Sequence, residues 1–168
     1  PSFSLASDKA SLLGMAAEFG LTVPLQTRLE SKGEMPRLDL VFPLVVKPHR
    51  STNGKQSLAV RHAADRLDLL RILESLPDDS FPVLLQERIV GPGLGIFVLR
   101  HRGMTVARFA HRRLLGQPAS GGGSAYSESV ALDEVLAEKV EALHTHVDWE
   151  GPAMVEFKRD RRSGKNYL

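Results

Sequence analysis

The sequence predicts an α+β fold of two lobes, and three observations support this prediction. The first half contains two segments with helical spacing of apolar residues and one short apolar strand. After Pro82 the periodicity changes to that of β-strands, with one further helical segment before the last strand. The length of 168 residues is enough for one domain or for two small lobes that share a ligand. We place the lobes at residues 1–82 and 83–168, with the second lobe incomplete at its end.

Three segments have the periodicity of amphipathic helices. SDKASLLGMAAEFGLTVP predicts a helix that is capped by Ser7 or Asp8 and ended by Gly20, with Leu12, Leu13, Ala16 and Phe19 on its apolar side. HAADRLDLLRILESL, residues 62–76, predicts a helix closed by Pro77. LDEVLAEKVEALHTHV predicts a third helix, whose apolar side contains Leu132, Val135 or Leu136, Val140 and Leu143.

The remaining patterns predict strands and turns. Residues 44–47 form a short apolar run typical of a strand buried on both faces, VLLQERIV predicts another strand, and GIFVLRHRGMTVARFAHRR predicts a hairpin that turns near Arg102 and Gly103. Residues 116–126 contain four glycines and a proline, which predicts a mobile loop. AMVEFKRD predicts the last full strand, followed by a turn at Ser163-Gly164 and the start of a returning strand. We therefore expect the chain to be a piece of a longer protein.

Composition excludes several classes of function. The chain has no cysteine, which excludes disulfides, thiolate catalysis and Cys-ligated zinc. No apolar stretch approaches the roughly 20 residues needed to cross a bilayer, and no signal peptide is recognisable, so we predict a cytoplasmic protein without a membrane partner. The net charge is only +2, and basic residues cluster at three places, either as a solvated rim or as a site for a small anion. No nucleic-acid-binding motif is present.

The sequence does not match the common nucleotide-binding motifs. Gly54-Lys55 lacks the earlier glycine and the following hydroxyl of a P-loop. The alternating glycines at 91, 93 and 95 precede a strand, whereas a dinucleotide fingerprint opens a helix. His144 and His146 are two residues apart on a predicted helix, so they do not readily share a metal.

Charged residues at the ends of strands remain as candidates for a site. Lys47 ends the buried run FPLVVK, and Lys9 stands at the start of the first predicted helix. Glu156 and Lys158 are two residues apart on one strand and share a face, an arrangement suited to a cation and a phosphate. Taken singly, each of these residues is better explained by an ordinary salt bridge, and only their combination in this order indicates a site.

Five stretches of the chain occur in the order that is typical of one family. They are DK…EFGLTVP, FPLVVKP, LLQERIVGPGLGIFVL, HRR…PASGGGSAYSES and GPAMVEFKRDRRSGKNYL. Together they resemble an ATP-grasp domain. The branch is that of the ATP-binding domain of the carbamoyl-phosphate synthase large chain. The resemblance covers essentially the whole chain. It implies two α+β lobes that enclose a nucleotide cleft, with ATP and Mg²⁺ as cofactors.

The resemblance also implies roles for particular residues. Lys9 and Lys47 match the positions that contact the α- and β-phosphates, and the loop from His49 to Lys55 matches the one that covers them. The hinge positions are Gln86, Glu87 and Ile89, where Glu87 and the Ile89 main chain would meet the adenine edge.

The metal and acceptor positions lie in the second half of the chain. Glu156 matches the first magnesium ligand, and from its place on the same face we expect Lys158 to contact the nucleotide as well. Arg112 and Arg113 are candidates to hold the γ-phosphate or the acceptor carboxylate, although neighbouring residues of a strand point in opposite directions. Leu94 stands where many relatives have an acid for the ribose. We expect the paired Glu-x-Asn of the metal site to lie beyond Leu168.

The implied reaction is activation of a small-molecule carboxylate by ATP to an acylphosphate, which an amine or similar nucleophile then attacks. We expect the 168-residue chain alone to bind ATP weakly and to be inactive. The alternative is a nucleotide-binding module without catalysis. The sequence does not predict the acceptor or the oligomeric state.

Overall fold

The computed structural model describes residues 9–34, 41–48, 60–117 and 123–168. In chain order its elements are α1 (Lys9–Glu18), β1 (Gln26–Leu29), β2 (Leu44–Pro48), β3 (Arg61–Ala63), α2 (Arg66–Ser75), a 3-10 turn (Asp78–Ser80), β4 (Val83–Glu87), β5 (Gly93–His101), β6 (Met104–Gln117), β7 (Gly123–Ser129), α3 (Glu134–His146), β8 (Gly151–Arg159) and β9 (Asn166–Tyr167). The described residues form two compact units. Residues 9–10 and 24–88 make the first unit, and residues 11–23 and 89–168 make the second.

The first unit is built on a four-stranded sheet with the order β1-β4-β2-β3. All its neighbouring strands are antiparallel. The apolar side of the sheet packs with Leu69 and Leu73 of α2 into a buried cluster that includes Leu44, Val46 and Leu85. The strand predicted at residues 44–47 is confirmed, and its apolar residues are buried on both faces.

Two predicted boundaries differ from the structure in this unit. The helix predicted from His62 begins four residues later, at Arg66, because residues 61–63 pair with β2 as strand β3. Asp65 caps the helix by accepting a hydrogen bond from the Asp68 N–H at 2.9 Å. The predicted lobe boundary at 82/83 would separate β4 from the sheet in which it is paired on both sides, and the compact unit instead extends to Arg88.

The second unit is built on a five-stranded antiparallel sheet with the order β7-β6-β5-β8-β9. Helix α3 covers one face, where Leu136, Val140 and Leu143 pack with Ile96 and Phe157. The buried residue is thus Leu136, while Val135 is 64% exposed. Asp133 caps α3 by accepting a hydrogen bond from the Leu136 N–H at 3.1 Å.

Helix α1 contributes to the same core. Its Ala16 is fully buried, and Leu12 and Phe19 pack against the cluster, as the apolar side predicted. Gly20 follows the helix with φ of +73°, a conformation that glycine adopts without a steric cost. The predicted cap at Ser7 or Asp8 and the loop from His49 to Lys55 lie outside the described residues.

The β-rich second half largely follows the sequence pattern. The hairpin β5–β6 turns at Arg102 and Gly103, both with positive φ, which confirms the predicted turn. The predicted return after Ser163-Gly164 is also present, since β9 pairs with β8. The loop predicted at residues 116–126 is shorter, because β6 continues to Gln117 and β7 begins at Gly123; residues 118–122 lie outside the description.

Candidate functional site

Most of the predicted site residues of the second unit lie on one face of its sheet. Along the central strand β5, Leu94, Ile96 and Val98 point into the core under α3. Gly93, Gly95 and Phe97 alternate with them and therefore belong to the opposite face. We call this the open face. The alternating burial of β8 places Glu156 and Lys158 on it as well, since Val155 and Phe157 pack in the core.

At Gly93 an arginine crosses the central strand. A Cβ atom added at Gly93 would lie 3.3 Å from the Arg113 Cβ and 3.6 Å from the Glu156 Oε1. The guanidinium of Arg113 reaches from β6 over this position and forms an ion pair with Glu156 on β8. Its side chain is only 17% exposed, whereas that of Glu156 is 42% exposed. A methyl group at Gly93 would therefore be in close contact with both side chains, and a larger side chain would compete with this pair for the same space.

At Gly95 a histidine takes the corresponding position. Gly95 pairs with His111 on β6 and with Glu156 on β8. A Cβ atom added at Gly95 would lie 2.5 Å from His111 Nε2 and 3.1 Å from the sulfur of Met154. The imidazole therefore occupies the space over this glycine, and it packs edge-on against Phe97 with ring centroids 5.0 Å apart.

The two adjoining arginines point to opposite faces, as the strand period predicts. Arg112 pairs with Glu128 in the register of β6 and β7, and its Nε donates to Glu128 Oε1 at 2.8 Å. This ion pair is on the side of the sheet that faces α3. Of the two candidate catalytic arginines, only Arg113 shares a face with Glu156 and Lys158.

In the first unit, a line of polar side chains crosses three strands. The Lys47 ammonium donates to Gln86 Oε1 at 2.5 Å, and Gln86 Nε2 donates to Gln26 Oε1 at 3.3 Å. Gln86 is only 5% exposed. Its buried amide therefore bonds with Lys47 and Gln26, and its direct contact with a nucleotide stays a prediction. What the geometry supplies is a fixed position for the Lys47 ammonium.

The other predicted hinge residues are Glu87, the last residue of β4, and Ile89, which follows that strand. The Glu87 N–H donates to the Leu25 carbonyl at 2.8 Å, and a Glu87 carboxylate oxygen lies 3.5 Å from the Leu25 nitrogen. Ile89 is buried, but within the described part of the chain its main-chain N–H and C=O make no hydrogen bond. An unpaired main-chain donor and acceptor are the groups that the edge of a flat base requires. Lys9 is the first residue of α1, and its side chain lies outside the description.

The described residues do not by themselves make a magnesium site. Among residues 9–34, 41–48, 60–117 and 123–168, no group of three or more His, Asp or Glu side chains is placed to hold a metal. Glu156 offers an oxygen donor of the right kind, but it is one carboxylate, and Arg113 already pairs with it.

In the part of the chain that the structure describes, no helix is both long and apolar enough to cross a membrane.

His111, Gly93 and Gly95 were not among the predicted site residues. The sequence does contain a signal for them, because two glycines two residues apart on one strand leave two gaps on the same face. His111 and Arg113 have the same spacing on the next strand, so their side chains fall in register with those gaps.

The fold is similar to that of solved ligases. The chain is similar to an L-amino acid ligase from Bacillus licheniformis, with 18% identity and a TM-score of 0.70, over 99% of this chain and 40% of that one. It is similar to a D-alanine–D-alanine ligase from Bacillus anthracis complexed with ATP, with 20% identity and a TM-score of 0.68, over 99% of this chain and 52% of that one. The ATP-grasp ligase PsnB, complexed with a minimal precursor, gives 14% identity and a TM-score of 0.62 over 99% of this chain and 52% of that one.

These similarities show that the chain has the ATP-grasp fold, which confirms the predicted fold class. The chain spans about half the length, or less, of these ligases. No protein-family model matches the sequence, and no match is found among curated proteins.

Proposed function

We propose that this chain is the ATP-binding part of an ATP-dependent ligase that joins a small-molecule carboxylate to an amine. The observation that carries the proposal is the similarity of 99% of the chain to a D-alanine–D-alanine ligase complexed with ATP. The proposed reaction has two steps. A carboxylate oxygen attacks the γ-phosphorus of ATP to give an acylphosphate and ADP, and an amine then displaces phosphate to form an amide.

Phosphoryl transfer depends on positioning the reactants and on neutralising the charge of the phosphates. The cationic side chains of the two units are therefore the main candidates to bind the phosphates of ATP. In the first unit, Lys47 is held by the buried amide of Gln86, and an ammonium is a compact charge suited to phosphate oxygens. In the second unit, Arg113 and Lys158 share the open face.

We assign Arg113 to the γ-phosphate or the acceptor carboxylate, because its planar guanidinium binds either group through two parallel hydrogen bonds. Glu156 holds this guanidinium over Gly93. We retain Lys9, Glu87 and Ile89 as nucleotide contacts and Glu156 as one magnesium ligand on the sequence resemblance. Arg112 has less support, since it pairs with Glu128 on the other face.

The likeness to the carbamoyl-phosphate synthase large chain rests on the sequence motifs, and it stays a prediction together with the magnesium requirement and the cytoplasmic location. A nucleotide-binding module without catalysis is the second candidate. Phosphate release that requires both a carboxylate and an amine, measured on the protein that contains this chain, separates the ligase from the module.

The direct test is ATP binding by the chain and by two lysine variants. Saturation-transfer NMR detects weak binding, and we expect the adenine protons of ATP to receive magnetisation from the wild type. Lys47→Met should weaken ATP binding about tenfold or more, because a hydrogen bond to a charged group contributes about 1.5–3 kcal/mol. Lys32→Met is the matched control, since Lys32 lies in the same unit and binds the Leu76 carbonyl at 3.0 Å. Equal affinities of the two variants, or no transfer to ATP in the wild type, would refute the proposal.

A further inference from the structure

Beyond the charged residues, the open face becomes apolar. Phe97 on β5 pairs with Phe109 on β6 and with Met154 on β8. The two phenyl rings are in contact, with centroids 5.6 Å apart. The next same-face position is Leu99, which pairs with Ala107 and Pro152.

These apolar side chains are exposed to a degree that requires a reason. Phe109 is 49% exposed, Met154 43% and Leu99 39%. Isolated apolar residues on a surface are ordinary, but an adjoining group of them beside polar residues marks a binding surface. We call Phe97, Phe109, Met154 and Leu99 the apolar patch.

The apolar patch is continuous with the charged end of the open face. The imidazole of His111 lies between them, over Gly95, and touches Phe97 edge-on. On a strand, successive same-face residues are about 7 Å apart, and directly paired residues are about 5 Å apart. The apolar patch therefore begins about 7 Å from the row that contains His111 and Glu156.

We propose that the apolar patch binds the aromatic or apolar group of a small carboxylate, the acceptor of the proposed ligase. The carboxylate would lie at the charged end, toward Arg113 and Lys158, and the apolar group would cover Phe97 and Phe109. The choice of this occupant rests on charge complementarity. The charged end holds two cations, Arg113 and Lys158, and one carboxylate, Glu156, so a positive charge remains beside the apolar patch for the anionic end of such a molecule. The inference rests on the proposed function for the acceptor role, whereas the acid-binding surface is a property of the second unit alone.

Two acids of different size provide the test. Hydrocinnamate and propanoate carry the same carboxylate, and only hydrocinnamate has a phenyl ring. We expect calorimetry or NMR titration to give a dissociation constant about tenfold lower for hydrocinnamate, since burial of roughly 60 Å² of apolar surface corresponds to that factor. Equal affinities of the two acids would overturn the proposal.

Variants test each end of the face separately. Phe109→Ser should remove most of the preference for hydrocinnamate, and because Phe109 is half-exposed the fold should tolerate the change. Arg113→Met should weaken both acids by a similar factor and leave their ratio unchanged. Val135→Ser is the matched control, because Val135 is an exposed apolar residue of α3 on the other side of the sheet. A preference that survives Phe109→Ser would overturn the proposal.

A failure of this inference can be distinguished from a failure of the proposed function. ATP binding with no preference between the acids would overturn this inference alone. A preference without ATP binding would support the acid site and refute the ligase. If the apolar patch instead joins two copies of the chain, Phe109→Ser would lower the sedimentation coefficient without changing the ratio of acid affinities, and the proposal would fall.

Discussion

Replacing Gly91 by alanine should destabilise the second unit, because the main chain of β8 fills the space that a side chain would need. A Cβ atom at Gly91 would lie 1.7 Å from the Arg159 carbonyl oxygen and 2.7 Å from its carbonyl carbon. Carbon–oxygen contacts are rarely shorter than about 3.3 Å, so the two segments would have to separate by about 1.5 Å. The obstacle is backbone, which cannot rotate away as a side chain can.

The size of the effect follows from the hydrogen bonds on either side of Gly91. The Arg161 N–H donates to the Val90 carbonyl at 3.0 Å, and the Arg159 N–H donates to the Pro92 carbonyl at 3.0 Å. A separation of about 1.5 Å breaks both bonds, and each contributes about 1 kcal/mol net. With the strain of overpacking added, we expect the free energy of unfolding to fall by about 3 kcal/mol.

Urea unfolding followed by circular dichroism measures this loss, and amide hydrogen exchange at Arg159 and Arg161 localises it. Gly14→Ala is the control with the opposite sign. Gly14 lies inside α1 with nothing within 4 Å of an added Cβ, so alanine there should stabilise the protein by about 0.5–1 kcal/mol. If Gly91→Ala unfolds at the wild-type urea concentration and leaves exchange at both amides unchanged, the close approach at Gly91 is refuted.

Two further predictions concern the end of the sheet near the β5–β6 turn. Burial lowers the pKa of His144, with the Arg100 charge adding to the effect and Glu141 opposing it. Below the ordinary pKa of about 6.5 the unfolded chain therefore binds a proton that the folded chain does not, and stability should fall from pH 6.5 downward until the lower folded pKa is reached. His144→Phe should reduce that fall in urea unfolding measured between pH 7 and pH 5; an unchanged pH dependence would show that His144 is not its source. Arg100→Lys should lower the unfolding free energy by about 2–4 kcal/mol, because the buried guanidinium donates to the carbonyls of Trp149 and Gly103 and to the Thr145 hydroxyl; a change of a few tenths would contradict this.

Where a pattern depends on neighbours along the chain, the sequence predicts the fold well. Helix α3 has a capping aspartate and apolar residues at helical spacing, and both signals act within one or two turns. The β5–β6 turn needs only two adjacent residues with positive φ, which Arg102-Gly103 provides. Even here the pattern does not decide whether Val135 or Leu136 is buried, because the direction of the core is set by the sheet under the helix.

The predictions that differ from the structure depend on partners far along the chain. His62 has helical spacing with the residues after it, but its strand is stabilised by pairing with Val45 of β2. The glycines at the ends of β6 and β7 favour a loop locally, and the ladder between these strands overrides that preference. The hydrogen bond from Lys47 to Gln86 joins residues 39 positions apart, so no local pattern could reveal it.

The glycines at 91, 93 and 95 show why the open face has its charge and its apolar patch so close together. They do not match the dinucleotide-binding fingerprint, because they do not precede a helix. In the structure, the two glycines of β5 leave the open face of the central strand without side chains over a length of about 7 Å. Arg113 can therefore reach across the strand to pair with Glu156 on β8, and the imidazole of His111 occupies the space over Gly95. On the open face the strand has its first side chain at Phe97, and from that position the apolar surface begins. The boundary between the charged side chains and the apolar patch is thus set by the position of Gly95, the last glycine of β5. An alanine at Gly95 would displace the imidazole of His111 from this boundary.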